Sequence, residues 1–397
     1  MTFSIFGREK KDTFLVFDIG NASVGGALVK RKIENGHPSL QILTSEREEI
    51  PFGEHVLFDR LLKNMLSAVG TVAERLTKKA GRHIPLVRVV LASPWYISET
   101  KIISIKKAKK FVFTETMQNE FIAKEISDYK QLLVKRNKVG YDEALSVVES
   151  EIINVCLNGY DTVAPLGKEA YDIKLALYLS VSHEKILKTI TDKLLSFSPN
   201  ANITFHSFPL AYFSAVRDLY PKNHDFLLLD VSGEITDVSL VRRGVLLETA
   251  SFPLGRNFLL RRVAIGLKRT LPEAFSLLSL SQRNELHQNE KEKFTKIFFK
   301  VKDEWLGAFQ KVLADLSGEL YVPGEIFLAA DDDVTGLFAE WISGEQFSQY
   351  SLTHEKFRVL PFFRAYSSIV DGQSTAAHDQ FIDIAALFTE KLIDPVK

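Results

Sequence analysis

Two acidic residues stand where apolar strands run into short turns built from small residues. In Phe226–Leu247, FLLLDVSGEITDVSLVRRGVLL, Asp230 ends a run of leucines and is followed by Ser232, Gly233, Glu234, Thr236 and Asp237. In Phe14–Lys30, FLVFDIGNASVGGALVK, Asp18 holds the same place ahead of Gly20, Asn21 and Ser23. Turns of this composition direct backbone N–H groups and hydroxyls at one spot, which suits an anionic ligand. A carboxylate beside them suits a hydrated cation. The plainer reading is a pair of ordinary hairpins with Asp and Gly in their turns.

Each acid needs a hairpin to carry it: one wholly apolar strand to deliver it, a tight turn, and a second apolar or alternating strand to lead away. The two copies lie 212 residues apart. That separation predicts an internal duplication whose turns face each other across a cleft.

The paired turns resemble the two phosphate loops of the actin, sugar-kinase and heat-shock-chaperone superfamily, and more narrowly the chain is similar to the bacterial actin-like proteins FtsA and PilM. Phe252–Leu280, FPLGRNFLLRRVAIGLKRTLPEAFSLLSL, resembles the segment that follows the second loop in those families. Ile152–Val181, IINVCLNGYDTVAPLGKEAYDIKLALYLSV, resembles the SHS2 insertion typical of FtsA, including its run at Gly159–Gly167. The resemblance implies an α/β fold of duplicated actin-like (ribonuclease H-like) domains facing a nucleotide cleft, with an inserted SHS2-like α+β subdomain. It divides the chain into a first half at 1–98, to which 183–222 and 374–397 return, and an insertion at 99–182. A second half follows at 223–258 and 317–373, with a helical nucleotide-covering subdomain at 259–316.

ATP and magnesium are the implied cofactors. The implied binding residues are Asp18, Gly20, Asn21, Ser23, Asp230, Ser232, Gly233, Thr236, Gly255, Ala330 and Gly336, with Asp18 and Asp230 holding magnesium through water. Three departures weaken this. Ser232 stands in place of a usual glycine, Gly255 is followed by Arg256 instead of glycine, and Glu325–Leu337, EIFLAADDDVTGL, has Ala330, Asp331 and Asp332 where the adenosine motif has glycines. A Cβ there intrudes on a nucleotide, and acids repel phosphate. Either nucleotide binding has decayed and the fold persists as a scaffold, or the acids face a metal or solvent and ATP still binds.

Ser207, Phe208 and Leu210 occupy the hinge-helix start, Ile203–Leu219, where the superfamily places a water-positioning Gln or Glu. The chain is therefore expected to be a slow ATPase at most, with no catalytic residue assigned. The implied function is a cytoplasmic scaffold at the inner face of the cell membrane in cell division, as for FtsA. Its insertion would dock a tubulin-like division protein, and the chain would self-associate into filaments. The alternative is a PilM-like role in type IV pilus assembly, docking a cytoplasmic peptide of an inner-membrane protein. It is favoured by the end of the chain five residues after the expected last helix, Ala376–Leu392, where FtsA continues to a membrane helix. A small-molecule kinase is a remote third reading.

Composition narrows the field further. Lys+Arg and Asp+Glu are both 50 in 397 residues, which argues against a nucleic-acid partner. Cys156 is the only cysteine, so an internal disulfide is excluded and a reducing, cytoplasmic setting fits. No apolar run approaches the roughly 20 residues of a membrane span. Met1–Lys11 mixes Phe3, Ile5 and Phe6 with Arg8, Lys10 and Lys11, a combination suited to an anionic membrane surface or to a frayed terminus. The basic run Lys106–Lys110 reads as a solvated edge. Helices are expected at Asp59–Lys79, Glu115–Lys135 and Lys185–Phe197, over Arg261–Lys302 with one break, and separately at Asp303–Leu316.

Overall fold

A computed structural model describes residues 13–34, 37–53, 57–81, 84–136, 144–318, 321–345, 347, 350, 356–362 and 379–390. The aromatic and basic Met1–Lys11 stretch lies outside them, as do both ends of the expected last helix. The chain opens with β1 (Thr13–Ile19), β2 (Ser23–Glu34), β3 (His37–Glu49), α1 (Phe58–Ala80) and β4 (Leu86–Leu91). Next come β5 (Ile97–Val112), α2 (Glu115–Lys135), β6 (Leu145–Leu157), β7 (Tyr160–Asp161) and β8 (Glu169–His183). Then follow α3 (Glu184–Leu195), β9 (Asn202–Ser207) and α4 (Phe208–Leu219). The rest holds β10 (Phe226–Val231), β11 (Thr236–Arg242), β12 (Val245–Phe252), α5 (Arg256–Leu267), α6 (Leu271–Gln282) and α7 (Gln288–Ser317). It finishes with β13 (Glu325–Ala330), α8 (Asp332–Gly344), β14 (Arg358–Pro361) and α9 (Gln380–Glu390).

Two five-stranded sheets share one topology, β3-β2-β1-β4-β9 and β12-β11-β10-β13-β14. In each, the central strand carries the acid and pairs antiparallel with the next strand and parallel with the fourth. The central strands are buried on both faces, as their continuous apolar runs require. Facing residues of the two sheets, among them Phe14, Val16, Phe226 and Leu228, enclose α4 and α9 in a shared core. The outer face of the first sheet packs on α1 and α3, and that of the second on α5, α7 and α8. The duplication read from Asp18 and Asp230 is thus a duplication of whole sheets.

The remaining sheet, β5-β8-β6-β7, lies within the first half's sequence, with α2 on one face. Glu149 of β6 ties it to the hinge: its Oε2 accepts from Ser207 N–H at 3.0 Å, and its Oε1 lies 3.0 Å from His206 Nδ1. Ser207 and Phe208 are fully enclosed at this junction, so they stand against the insertion instead of facing a ligand. Among the described residues, no helix is long and apolar enough to cross a membrane.

The helical subdomain corrects one expectation. The break expected near 302 is absent, and α7 is a single 30-residue helix. Phe294, Val301, Trp305, Phe309 and Val312 continue one buried stripe, and no Gly, Pro or cap interrupts it at that point. The breaks fall earlier, at Lys268, which has a left-handed backbone with φ 54°, and after Gln282. Thr270 restarts the helix with a capping box to Glu273.

Candidate functional site

The hairpin registers set the geometry of both turns. Ile19 faces Val24 and Val231 faces Thr236, leaving Gly20–Ser23 and Ser232–Ile235 as equivalent turns. Gly20 N–H donates to Ser23 O at 3.0 Å, and Ser232 N–H donates to Ile235 O at 3.1 Å. Asp18 and Asp230 lie buried at the strand ends just before them.

The turns touch. Asn21, fully buried, donates through Nδ2 to Ser93 O at 2.7 Å and to Ser232 Oγ at 2.9 Å, while its Oδ1 accepts from Glu234 N–H at 2.8 Å. A Cβ on Gly233 would stand 2.2 Å from Ala22 Cβ, so glycine is what allows the approach. The first two amides of α5, on Arg256 and Asn257, donate to the carbonyls of Ser232 and Gly233 at 2.9 and 2.7 Å. Helix N-terminal amides of this kind bind phosphate when they are free. Thr236 Oγ1 is also engaged, donating to Leu254 O at 2.8 Å.

Gly255 caps α5 against the second turn, where a Cβ would lie 2.2 Å from Ser232 O and 2.5 Å from Gly233 O. Both obstacles are backbone and cannot rotate away. Gly255→Ala is expected to lower stability by about 1–3 kcal/mol or prevent folding, read as a shift in the denaturant midpoint.

A residue that the acid-turn pattern does not single out completes the first turn. Arg47, on β3, donates from Nη2 to Asp18 Oδ2 at 2.9 Å and from Nη1 to Ser23 Oγ at 2.6 Å. It also forms a two-bond fork with Asp379, Nε to Oδ2 at 2.5 Å and Nη2 to Oδ1 at 2.9 Å. The available signal was Gly25–Gly26 in mid-strand, because glycine inside a strand marks a close approach. A Cβ on Gly25 would lie 2.4 Å from Arg47 Nη2.

A second arginine closes the other side. Arg256 pairs with Asp333 at 2.8 Å and lies 3.7 Å from Asp331, so one of the two acids that replace the expected glycines faces a guanidinium. Gln380 donates to Ala330 O, and Thr335 Oγ1 donates to the same carbonyl at 2.8 Å. Gly336 lies on α8 with nothing near its Cβ position, and the structure does not bring it to the turns. Glu234 is held by Asn257 Nδ2 at 2.9 Å and Arg261 Nη1 at 3.0 Å.

Burial dominates the electrostatics. It pushes Asp18 up to about 6, only partly opposed by Arg47. Asp331 is likewise raised to about 6 by burial, against the pull of Arg47 and Arg256. Asp230 is raised well above the usual carboxylate range by burial and by the neighbouring Asp237, Asp18 and Asp331. Its Oδ1 is buried without a hydrogen-bond partner.

Magnesium-ATP finds one feature in its favour here, since Asp230 offers a buried oxygen that a cation would satisfy. Against it, Asn21 spans the gap between the turns, the α5 amides are bonded to carbonyls, and Asp18 already holds a cation of the chain's own. Magnesium-ATP does not fit between the turns in this arrangement.

The chain has an actin-like ATPase fold: two sheets of one topology, an acid-tipped hairpin at the same place in each, and the turns face to face. It superposes on a chain of the solved "PilM-PilN type IV pilus biogenesis complex" with TM-score 0.60, 14% identity and 96% of each chain covered. A Bacteroides thetaiotaomicron protein with actin-like ATPase fold superposes at TM-score 0.44 and 10% identity over 98% of this chain and 99% of that one. The ethanolamine utilization protein EutJ from Carboxydothermus hydrogenoformans does so at 0.42 and 11% over 94% and 89%. At these identities the likeness is one of fold. A scan against protein-family models finds no match, and a search of curated proteins finds none.

Proposed function

We propose that this chain is an actin-like scaffold of the PilM type, whose interlobe cleft is held closed by its own side chains in place of a nucleotide. The observation that carries this reading is the direct bridge between the turns, with Asn21 bonded to Ser232 and Glu234 and Arg47 seated on Asp18. A chain built this way presents surfaces and does not turn over ATP. The pilus role, docking a cytoplasmic peptide of an inner-membrane partner, is supported by the whole-chain superposition on a chain from a PilM–PilN complex. A cavity of about 540 Å³ offers a place for such a peptide, lined by Phe58 and Leu62 of α1, Ala144, and His183, Lys185 and Lys188 at the foot of the insertion. Its apolar side chains suit an extended segment carrying apolar anchors, while Asp59 and Glu184 balance Lys185 and Lys188 in the same lining. A division role like that of FtsA is the second reading, supported by the SHS2-like run at Gly159–Gly167.

Titration calorimetry with magnesium-ATP tests the closed cleft, and no binding heat is expected. Binding in the micromolar range that Asp230→Ala abolishes would overturn it. Pull-downs separate the roles: a pilus-assembly peptide is expected to be retained and a tubulin-like division protein is not. The reverse pattern would replace the pilus reading with the division one.

A further inference from the structure

The end of the insertion sheet where β6 turns into β7 exposes apolar side chains that the fold does not use. Asn158 and Gly159, with φ of 52° and 88°, turn the chain into a loop that runs to Lys168. Val163 is fully exposed and Tyr160 is 78% exposed, with Leu166 half exposed beside them. This loop is laid along the end of β5: Gly167 N–H donates to Phe113 O at 2.8 Å, and Phe113 N–H donates to Lys168 O at 2.9 Å.

The same end of β5 carries a bulge. Lys106 pairs with Asp172 and Phe111 with Ala170, so residues 107–110 stand opposite a single β8 residue and are thrown outward. Lys106, Lys107, Lys109, Lys110 and Lys168 are all exposed there. Asp172 and Glu169 answer Lys106 and Lys110 only loosely, at 3.6 and 3.7 Å. Lys107, Lys109 and Lys168 form no ion pair among the described residues. Against the three acids of this end, Asp161, Glu169 and Asp172, the five lysines leave a local basic excess around an apolar tip, in a chain whose charges balance overall.

We propose that this tip is a contact site for an anionic membrane surface, with Tyr160, Val163 and Leu166 entering the headgroup layer and the lysines lying against lipid phosphates. The residue types favour a membrane over a protein. Protein interfaces are depleted in lysine and enriched in arginine, whereas this patch has five lysines and no arginine. Apolar and aromatic side chains ringed by lysine are the pattern of interfacial membrane binding. This contact depends on neither the cleft nor the peptide cavity.

The test is flotation of the full chain with vesicles of phosphatidylcholine alone and of phosphatidylcholine with phosphatidylglycerol. Binding is expected only to the anionic vesicles and is expected to weaken as salt is raised. The triple variant Lys107→Glu, Lys109→Glu, Lys110→Glu should lower binding on the order of 100-fold. In Val163→Trp, the new indole should shift its emission to the blue when anionic vesicles are added. All four positions are exposed, so unchanged thermal unfolding is expected to show that the variants fold. If the wild type stays unbound on anionic vesicles, the proposal is overturned and the tip becomes a protein-docking surface. If it binds but neither the lysine variant nor Val163→Asp weakens it, the membrane contact lies elsewhere and the proposal also fails.

Discussion

Replacing Arg47 by alanine is expected to destabilise the protein by about 3 kcal/mol at pH 8, because removing one member of a buried ion pair leaves its partners charged and unanswered. Two carboxylates lose their cation at once. Asp18 is buried, with 4% of its side chain exposed, and Asp379 is 18% exposed. The loss should shrink at pH 5. Asp18 has its folded-state value raised to about 6, so near pH 5 it is largely protonated in the wild type and owes less to the guanidinium. Arg47→Lys should recover only part of the stability, since an ammonium cannot make the two-bond fork to Asp379 while also reaching Ser23 and Asp18. Denaturant midpoints at the two pH values measure all three quantities. A neutral Arg47→Ala at pH 8 would mean that the arginine does not occupy the first turn.

Asp230→Asn is expected to stabilise the protein, and more so as pH rises. The acid is buried, its Oδ1 has no partner, and burial with three neighbouring acids raises it well above its ordinary value. For an acid raised on folding, the folded state holds the proton more tightly than the unfolded chain, so the wild type loses stability as pH climbs from the unfolded value toward the folded one. Asparagine carries no such penalty. The variant should match the wild type most closely at low pH, and its advantage should widen as pH rises toward 8. Equal stability of the two proteins at pH 8 would show that Asp230 is satisfied by a partner, such as a bound cation. This experiment therefore also bears on whether the cleft takes magnesium.

Both effects come from one property of the site. Acids suited to a metal are present, yet the chain supplies arginines against Asp18, Asp331 and Asp333 while Asp230 stays buried without a partner for its Oδ1. Functional carboxylates with raised pKa values usually mark ligand sites. Here burial raises Asp18 and Asp331 against the pull of the arginines beside them, and the hydrogen-bond partners distinguish such a site from a ligand site.

Much of the architecture was legible along the chain because it is written in local patterns. The apolar runs ending in Asp18 and Asp230, the small residues after them, and the 212-residue spacing were enough to expect two equivalent hairpins, and the registers at Ile19–Val24 and Val231–Thr236 repeat one another. The single sweep of α7 was misdivided because a run of Lys, Asp and Glu near 302 interrupts hydropathy without interrupting the buried stripe. Arg47 lies 29 residues from Asp18, and Asp379 lies 332 residues from Arg47. No periodicity links positions so far apart. Asn21 reaches Glu234 across 213 residues in the same way. The residue types alone dictated two acid-tipped hairpins and the sheets around them, since strand periodicity and turn chemistry act over a few residues. Whether the space between those hairpins is open or filled was decided only when the halves packed together, because that depends on side chains brought from opposite ends of the chain into one buried volume.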